Sequence, residues 1–145
     1  MEIDPAPANP TPPDPQRARA LCALGQAALD AGAAQEAVRH FREALATDDE
    51  DHHAQRGLVR ALRAAGRLDQ SIVVALRWTV LAPADAVAHE ELAASLEAAG
   101  RTTQAAKALR RARVVAWRQQ LDTSPDDSAD DSMDNKPIPN PDAQP

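Results

Sequence analysis

The chain has 145 residues and a formal net charge of −6; 43% of its residues are apolar, 2% are aromatic, and one is a cysteine. This length fits a single small domain with ends to spare, one cysteine excludes an internal disulfide, and three large aromatics leave little with which to stack nucleic-acid bases. The charge is uneven: residues 1–16 carry −3, residues 17–121 carry +3 and residues 122–145 carry −6, so acidic ends flank a mildly basic centre and repel nucleic acid and anionic membrane at long range.

In chain order, residues 1–15 are too rich in proline to pack (Pro5, Pro7, Pro10, Pro12, Pro13, Pro15) and are expected to be a disordered tether. Met1-Glu2-Ile3-Asp4 begins acidic with no apolar run behind it, and no stretch is apolar enough to span a membrane, so neither a secretory leader nor a membrane span is expected and the cytoplasm is the expected location. Asp14-Pro15 reads as an N-cap and a first-turn proline. From residue 16 to 121 the composition of Ala, Leu, Arg and Glu predicts an all-α domain. Within it Gly32, Gly66 and Gly100 recur every 34 residues, each with a leucine eight before it: Leu24, Leu58, Leu92. Three copies follow, at 18–51, 52–85 and 86–119. In each, residues such as Leu21, Leu24 and Ala28, or Leu58 and Leu62, line one face of a first helix, the glycine ends it, and a second helix returns. The apolar residues of the second helices are Val38, Phe41 and Leu45, then Ile72, Val73, Leu76 and Val80, then Leu109 and Ala112. Asp85 and Thr102 are the expected caps in copy three. The last helix runs from about Thr103 towards Leu121. Residues 122–145, acidic and proline-rich with little to bury, are expected to be disordered.

These residues resemble the tetratricopeptide repeat family: Gly25, Val59 and Ala93 at the small eighth position, the three turn glycines, Ala37, Ser71 and Ala105 at the twentieth, and Pro83 near the end of copy two. The resemblance implies three stacked antiparallel helix hairpins in a short right-handed superhelical solenoid, with a partner peptide held in the groove lined by the first helices. The sequence departs from the pattern at its usual large aromatics, which are Leu21, Gln55 and His89 at the fourth position and Ala28, Leu62 and Leu96 at the eleventh, and Trp78 replaces a small residue. An alanine-rich core of modest stability is the expectation, at about 0.8 kcal/mol per buried CH₂. The family's carboxylate-clamp positions hold Cys22, Gln26, Gly57, Val87 and Glu91, so a chaperone-tail clamp is absent.

On the groove-facing stripe of copy two stand His53, Arg56, Arg60 and Arg63, with Glu90, Glu91 and Glu97 at matching positions in copy three. Guanidinium forks suit carboxylates, which points to an acidic peptide; the competing reading pairs the arginines with the neighbouring glutamates. Asp48-Asp49-Glu50-Asp51-His52-His53 has the composition of a metal site but not a ligand spacing, and reads as a charged loop favouring the next helix N-terminus. Cys22 lacks a sequence partner for nucleophilic chemistry and reads as a small inner residue. On the last helix, Arg110, Val114, Trp117 and Leu121 form a second candidate surface, for a partner or for a second copy, unless Trp117 and Leu121 fold back on copy three. Arg110, Arg111 and Arg113 have a competing contact with Asp126–Asp134 of the tail. No acid–base pair, nucleophile motif or phosphate loop can be placed, so neither an enzyme nor a cofactor is expected. The function read from the sequence is a protein–protein adaptor, with a permanently docked accessory subunit as the alternative.

Overall fold

The computed structural model describes residues 12–123, and among these it holds six helices and no strand. They are α1 (Pro15–Asp30), α2 (Ala34–Thr47), α3 (His52–Ala64), α4 (Leu68–Leu81), α5 (Ala86–Ala98) and α6 (Thr102–Thr123). The expected tails fall mostly outside the described residues; Pro15, Asp122 and Thr123 belong to helices.

The helix starts follow the side-chain chemistry of the sequence. Asp14 accepts from the Arg17 amide at 3.2 Å, Asp51 from His53 and Ala54 at 2.8 and 3.2 Å, and Asp85 from Val87 at 3.0 Å, each supplying an acceptor that the first turn lacks. Thr102, read as a cap, is instead the first residue of α6. The hairpin turns repeat one geometry. Gly32, Gly66 and Gly100 have φ near +77°, a backbone region that costs other residues energy. The amide after each glycine then reaches back to a carbonyl of the last turn (Ala33 to Ala28, Arg67 to Leu62, Arg101 to Leu96) at 2.8–2.9 Å, which closes the helix and reverses the chain.

Successive helices pack in order from α1 to α6, and α3 also meets α1 and α5 to make an inner row; α2, α4 and α6 form an outer row whose backbones stay apart, although Arg42 of α2 donates to Gln70 of α4 at 3.4 Å. The core between the rows is rich in alanine (Ala37, Ala44, Ala54, Ala61, Ala75, Ala88, Ala105, Ala112), with Phe41 and Trp78 as its large side chains. Phe41 sits under two glycines. A Cβ on Gly57 would lie 2.1 Å from the ring and one on Gly25 2.7 Å from it, so the absence of both side chains is what lets α2 approach α1 and α3.

Two expectations about packing are corrected. Leu24 is 53% exposed, while Leu58 and Leu92 are buried: those two pack against α2 and α4 of the preceding hairpin, and among the described residues no hairpin stands before α1. On α4 the buried side is Ser71, Ile72, Ala75, Trp78 and Thr79, whereas Val73, Leu76 and Val80 are at least half exposed. Leu109 likewise lies at the surface, and Ala105, Ala108, Ala112 and Val115 carry the α6 contact. The outer helices pack mainly on their inner-row neighbours, so the apolar residues on the far side of α4 stay exposed.

The Phe41 contact makes a measurable claim. Gly57→Ala gains about 1 kcal/mol of helix propensity but drives a methyl into the ring, and over-packing of this kind costs about 1–3 kcal/mol. We expect urea unfolding to show net destabilisation of Gly57→Ala and partial recovery in the Gly57→Ala/Phe41→Leu double variant.

Candidate functional site

The inner row presents a cavity of about 340 Å³ between α1 and α3. Arg19, Cys22 and Gln26 line it from α1, and Asp51, His53, Arg56 and Arg60 from the start and inner stripe of α3. Its floor is the Phe41 ring, seen past Gly57. Three arginines and a histidine face one acid there, so the cavity is electropositive.

Beside it, all three arginines of the α3 stripe converge on one carboxylate of α5. Arg56 Nε donates to Glu91 Oε1 at 3.1 Å, Arg60 Nε to the same oxygen at 2.9 Å, and Arg63 Nη2 to Oε2 at 3.1 Å. Arg63 Nη1 continues to Ser95 Oγ at 3.1 Å, Ser95 shares a 2.5 Å hydrogen bond with Ser71 Oγ, and Ser71 donates to the Val59 carbonyl at 3.1 Å. A polar chain thus runs from the inner surface to the buried contact between α3, α4 and α5. Glu91 is 5% exposed. Burial by itself would raise its pKa, but the Arg56 hydrogen bond, the Arg60 charge and both interactions with Arg63 outweigh it and hold the carboxyl below its usual value.

The sequence-derived residues divide accordingly. His53, Arg56 and Arg60 come together at the cavity, and Arg63 lies next to them on Glu91. Glu90 and Glu97 are exposed on α5 and form no ion pair among the described residues. The pairing of arginines with glutamate is therefore present, but through a single buried acid, which leaves the outer Nη groups of Arg56 and Arg60 without an acceptor among the described residues. Sequence reasoning missed Glu91 as the hub, Arg19 as a cavity residue and the Ser71–Ser95 pair. One signal was available: Glu91 stands 34 residues after Gly57 and 68 after Ala23, a charge where the other copies are smallest.

The two histidines of the acidic loop point to different sides. His53 faces the cavity, while His52 Nδ1 lies 2.7 Å from Asp85 Oδ2 with its ring edge-on to Trp78 at 6.1 Å. Asp48 and Asp51 spend oxygens on backbone amides. Among the described residues no group of three or more His, Cys, Asp or Glu side chains could hold a metal. Cys22 sits 3.8 Å from Asp51 Oδ2, and burial, the Asp51 charge and that hydrogen bond push its thiol up to about 11, so it is protonated at neutral pH.

On α6, Trp117 is 62% exposed, and Val114 and Leu121 are about half exposed; Trp117 and Leu121 do not fold back. Arg110 is exposed and, among the described residues, bonds the Ala106 carbonyl; the expected contact of Arg110, Arg111 and Arg113 with Asp126–Asp134 lies outside the described residues. Gln119 donates to the Ala84 carbonyl and fixes this end of α6 against the α4–α5 loop. No described helix is long and apolar enough to cross a membrane.

A tetratricopeptide repeat family model matches residues 28–94. Among solved structures the chain is similar to one titled MamA MSR-1 C2, at 21% identity and a TM-score of 0.62, over 72% of this chain and 60% of that one. The chain thus spans 60% of that protein's length, and the likeness is one of fold. No curated protein matches the sequence.

The Glu91 cluster predicts a pH signature. A carboxyl whose folded pKa is depressed stabilises the fold above its unfolded pKa, near 4.5, and that contribution is lost as pH falls through the lower folded value. Removing one partner of a buried pair costs about 3–5 kcal/mol; with two of the arginines 44% exposed, screening reduces this to about 1–3 kcal/mol. Urea titrations should show Glu91→Gln destabilised by that amount at pH 7, with the two curves converging as the pH drops below 4.5.

Proposed function

Because the chain belongs to the tetratricopeptide repeat family, we propose that it is a protein–protein interaction module that holds an extended, carboxylate-bearing peptide along its concave inner row. The observation that carries this reading is the electropositive cavity between α1 and α3, which Arg56 and Arg60 line while Glu91 holds each of them through Nε and leaves their Nη groups without an acceptor among the described residues. Fixed guanidiniums lose little side-chain entropy on binding, and a fork with two free donors matches a carboxylate. The Phe41–Gly57 floor gives a neighbouring apolar side chain a place to rest. His53 lies at the start of the same stripe, and Glu90 and Glu97, further along the groove on α5, set a sign preference by repelling acids there.

The chain acts by binding: its one thiol is held protonated, and its buried carboxylate, Glu91, is committed to three arginines. It works as an adaptor in the cytoplasm, without cofactor or metal, and neither membrane nor nucleic acid is its partner. A second reading, an accessory subunit or a self-associating one, rests on a different observation, the exposed Val114, Trp117 and Leu121 on α6.

Peptides selected from a displayed random library against the purified protein should be enriched in Asp and Glu. Arg56→Glu/Arg60→Glu should weaken the best of them at least tenfold, about 1.4 kcal/mol, with Arg113→Glu unchanged, by fluorescence anisotropy. Selected peptides without acidic bias, or equal binding to the double variant, would refute the acidic-peptide reading.

A further inference from the structure

On the other side of α3 from the arginine stripe, two adjoining cavities of about 390 and 310 Å³ share Asp49, Gln55 and Leu81. Together they make a shallow groove between the end of α2, the start of α3 and the end of α4. Its floor is apolar, with Trp78 and Leu58 beneath and Leu81 66% exposed at its side, and its charged lining is two acids, Asp49 and Glu50, against one exposed arginine, Arg77. Asp49 and Glu50 stand exposed on its rim and form no ion pair among the described residues.

The opposite chemistry lies on α6. At 100° per residue, Val114, Trp117 and Leu121 fall within about 60° of one another on the side of the helix away from its buried residues Ala105, Ala108, Ala112 and Val115. From Arg110 to Leu121 the sequence holds four arginines and no acid. Arg110 lies in the stripe, and Arg113 and Arg118 border it.

We propose that this basic apolar stripe docks into the acidic-rimmed groove of a second copy of the chain. The inference rests on the second reading above and supplies the receiving surface that it lacks. Charge selects the groove: the arginine-lined inner cavity repels the stripe, whereas Asp49 and Glu50 attract it while Trp117 meets Leu81 and the Trp78 floor. Among the described residues α6 packs on α5 and reaches the α4–α5 loop through Gln119, with its backbone away from the α2, α3 and α4 residues that line the groove, so the groove's occupant is a second copy. Donor and acceptor are different patches of the same surface, so the contact is heterologous and each copy added leaves a free stripe and a free groove. The interface is small and partly ionic, so assembly depends on concentration and is weakened by salt.

The test is sedimentation velocity on the full chain from low micromolar to millimolar concentration. The expected result is an average mass that rises past the dimer with concentration and falls with added salt. Trp117→Ser and Asp49→Arg/Glu50→Arg each alter only exposed residues and should each weaken association at least tenfold. Mixed together, these two variants should form a 1:1 dimer and nothing larger, since one keeps only its groove and the other only its stripe. Wild type that stays monomeric throughout overturns both the inference and the self-association reading, whereas association that is undiminished in Trp117→Ser overturns the inference and the α6 contact. Loss of association in Trp117→Ser alone, with Asp49→Arg/Glu50→Arg unaffected, overturns the groove and leaves α6 as the contact. A wild-type mass that stops at the dimer overturns the heterologous geometry.

Discussion

The Phe41 ring sets how the inner and outer helix rows meet at the first joint of the array. It occupies the space that side chains at positions 25 and 57 would fill, and both positions are glycine. The consequence reaches the surface, because an inner helix with no side chain at residue 57 exposes a shallow depression with an aromatic floor. Thirty-four residues on, the same pair of positions holds Ala75 and Glu91. The alanine leaves room that the ring does not, and a side chain at position 91 becomes compatible with close helix packing. One size exchange between the rows thus produces both halves of the candidate site, a cavity at the first joint and a buried carboxylate at the second.

That carboxylate does structural and electrostatic work together. It lies at the contact of α3 with α5, the two inner helices that the alanine-rich core joins with small side chains. Three guanidiniums supply hydrogen bonds to both of its oxygens, so the cost of burying the charge is offset by partners of opposite sign. The Arg63–Ser95–Ser71 chain carries the same order inward to a backbone carbonyl, and fully satisfied polar networks of this kind hold neighbouring elements in one arrangement. Since one negative charge answers three positive ones, the stripe keeps a net positive field after its structural role is met. Ion pairing and the proposed ligand binding are therefore not competing readings of Arg56 and Arg60: Nε of each guanidinium serves the first and leaves the Nη groups for the second.

The helices and their turns were legible in the sequence because local chemistry decides them. Asp14, Asp51 and Asp85 cap from their own first turns, and glycines at 34-residue spacing stand where the backbone needs positive φ. Burial was legible only where the helical period was clean. The run Ile72-Val73-Val74 is apolar on several sides of α4, so composition could not say which side faces inward, and Trp78, an apparent misfit, proved to be the floor. Leu24 obeys the repeat in sequence and fails it in space, since its role needs a preceding hairpin and the described residues hold none. The arginine stripe was visible as spacing on one helix; its acid was not, because the partner lies 28 to 35 residues away and only packing chooses Glu91 over Glu90 or Glu97.

The exposure of the α6 stripe follows from length as much as from composition. The outer helices α2 and α4 have 14 residues each, against 22 for α6. At 1.5 Å per residue α6 is about 33 Å long, while the 13-residue α5 that covers it is about 20 Å. An outer helix is buried mainly by its inner-row neighbours, and α6 by α5 and the α4–α5 loop. Trp117 and Leu121 lie in the part that outruns this cover and stay exposed, while Gln119 holds that end against the Ala84 carbonyl. An indole and a leucine held on a rigid, arginine-bordered helix lose little entropy when something covers them. The same array presents, on the far side of α3, an acidic rim around an apolar floor. A mixture of signs averaged over the sequence is, in the fold, a separation: one positive inner face, one negative edge and one basic apolar end, each placed where the hairpin that bears it cannot satisfy it alone.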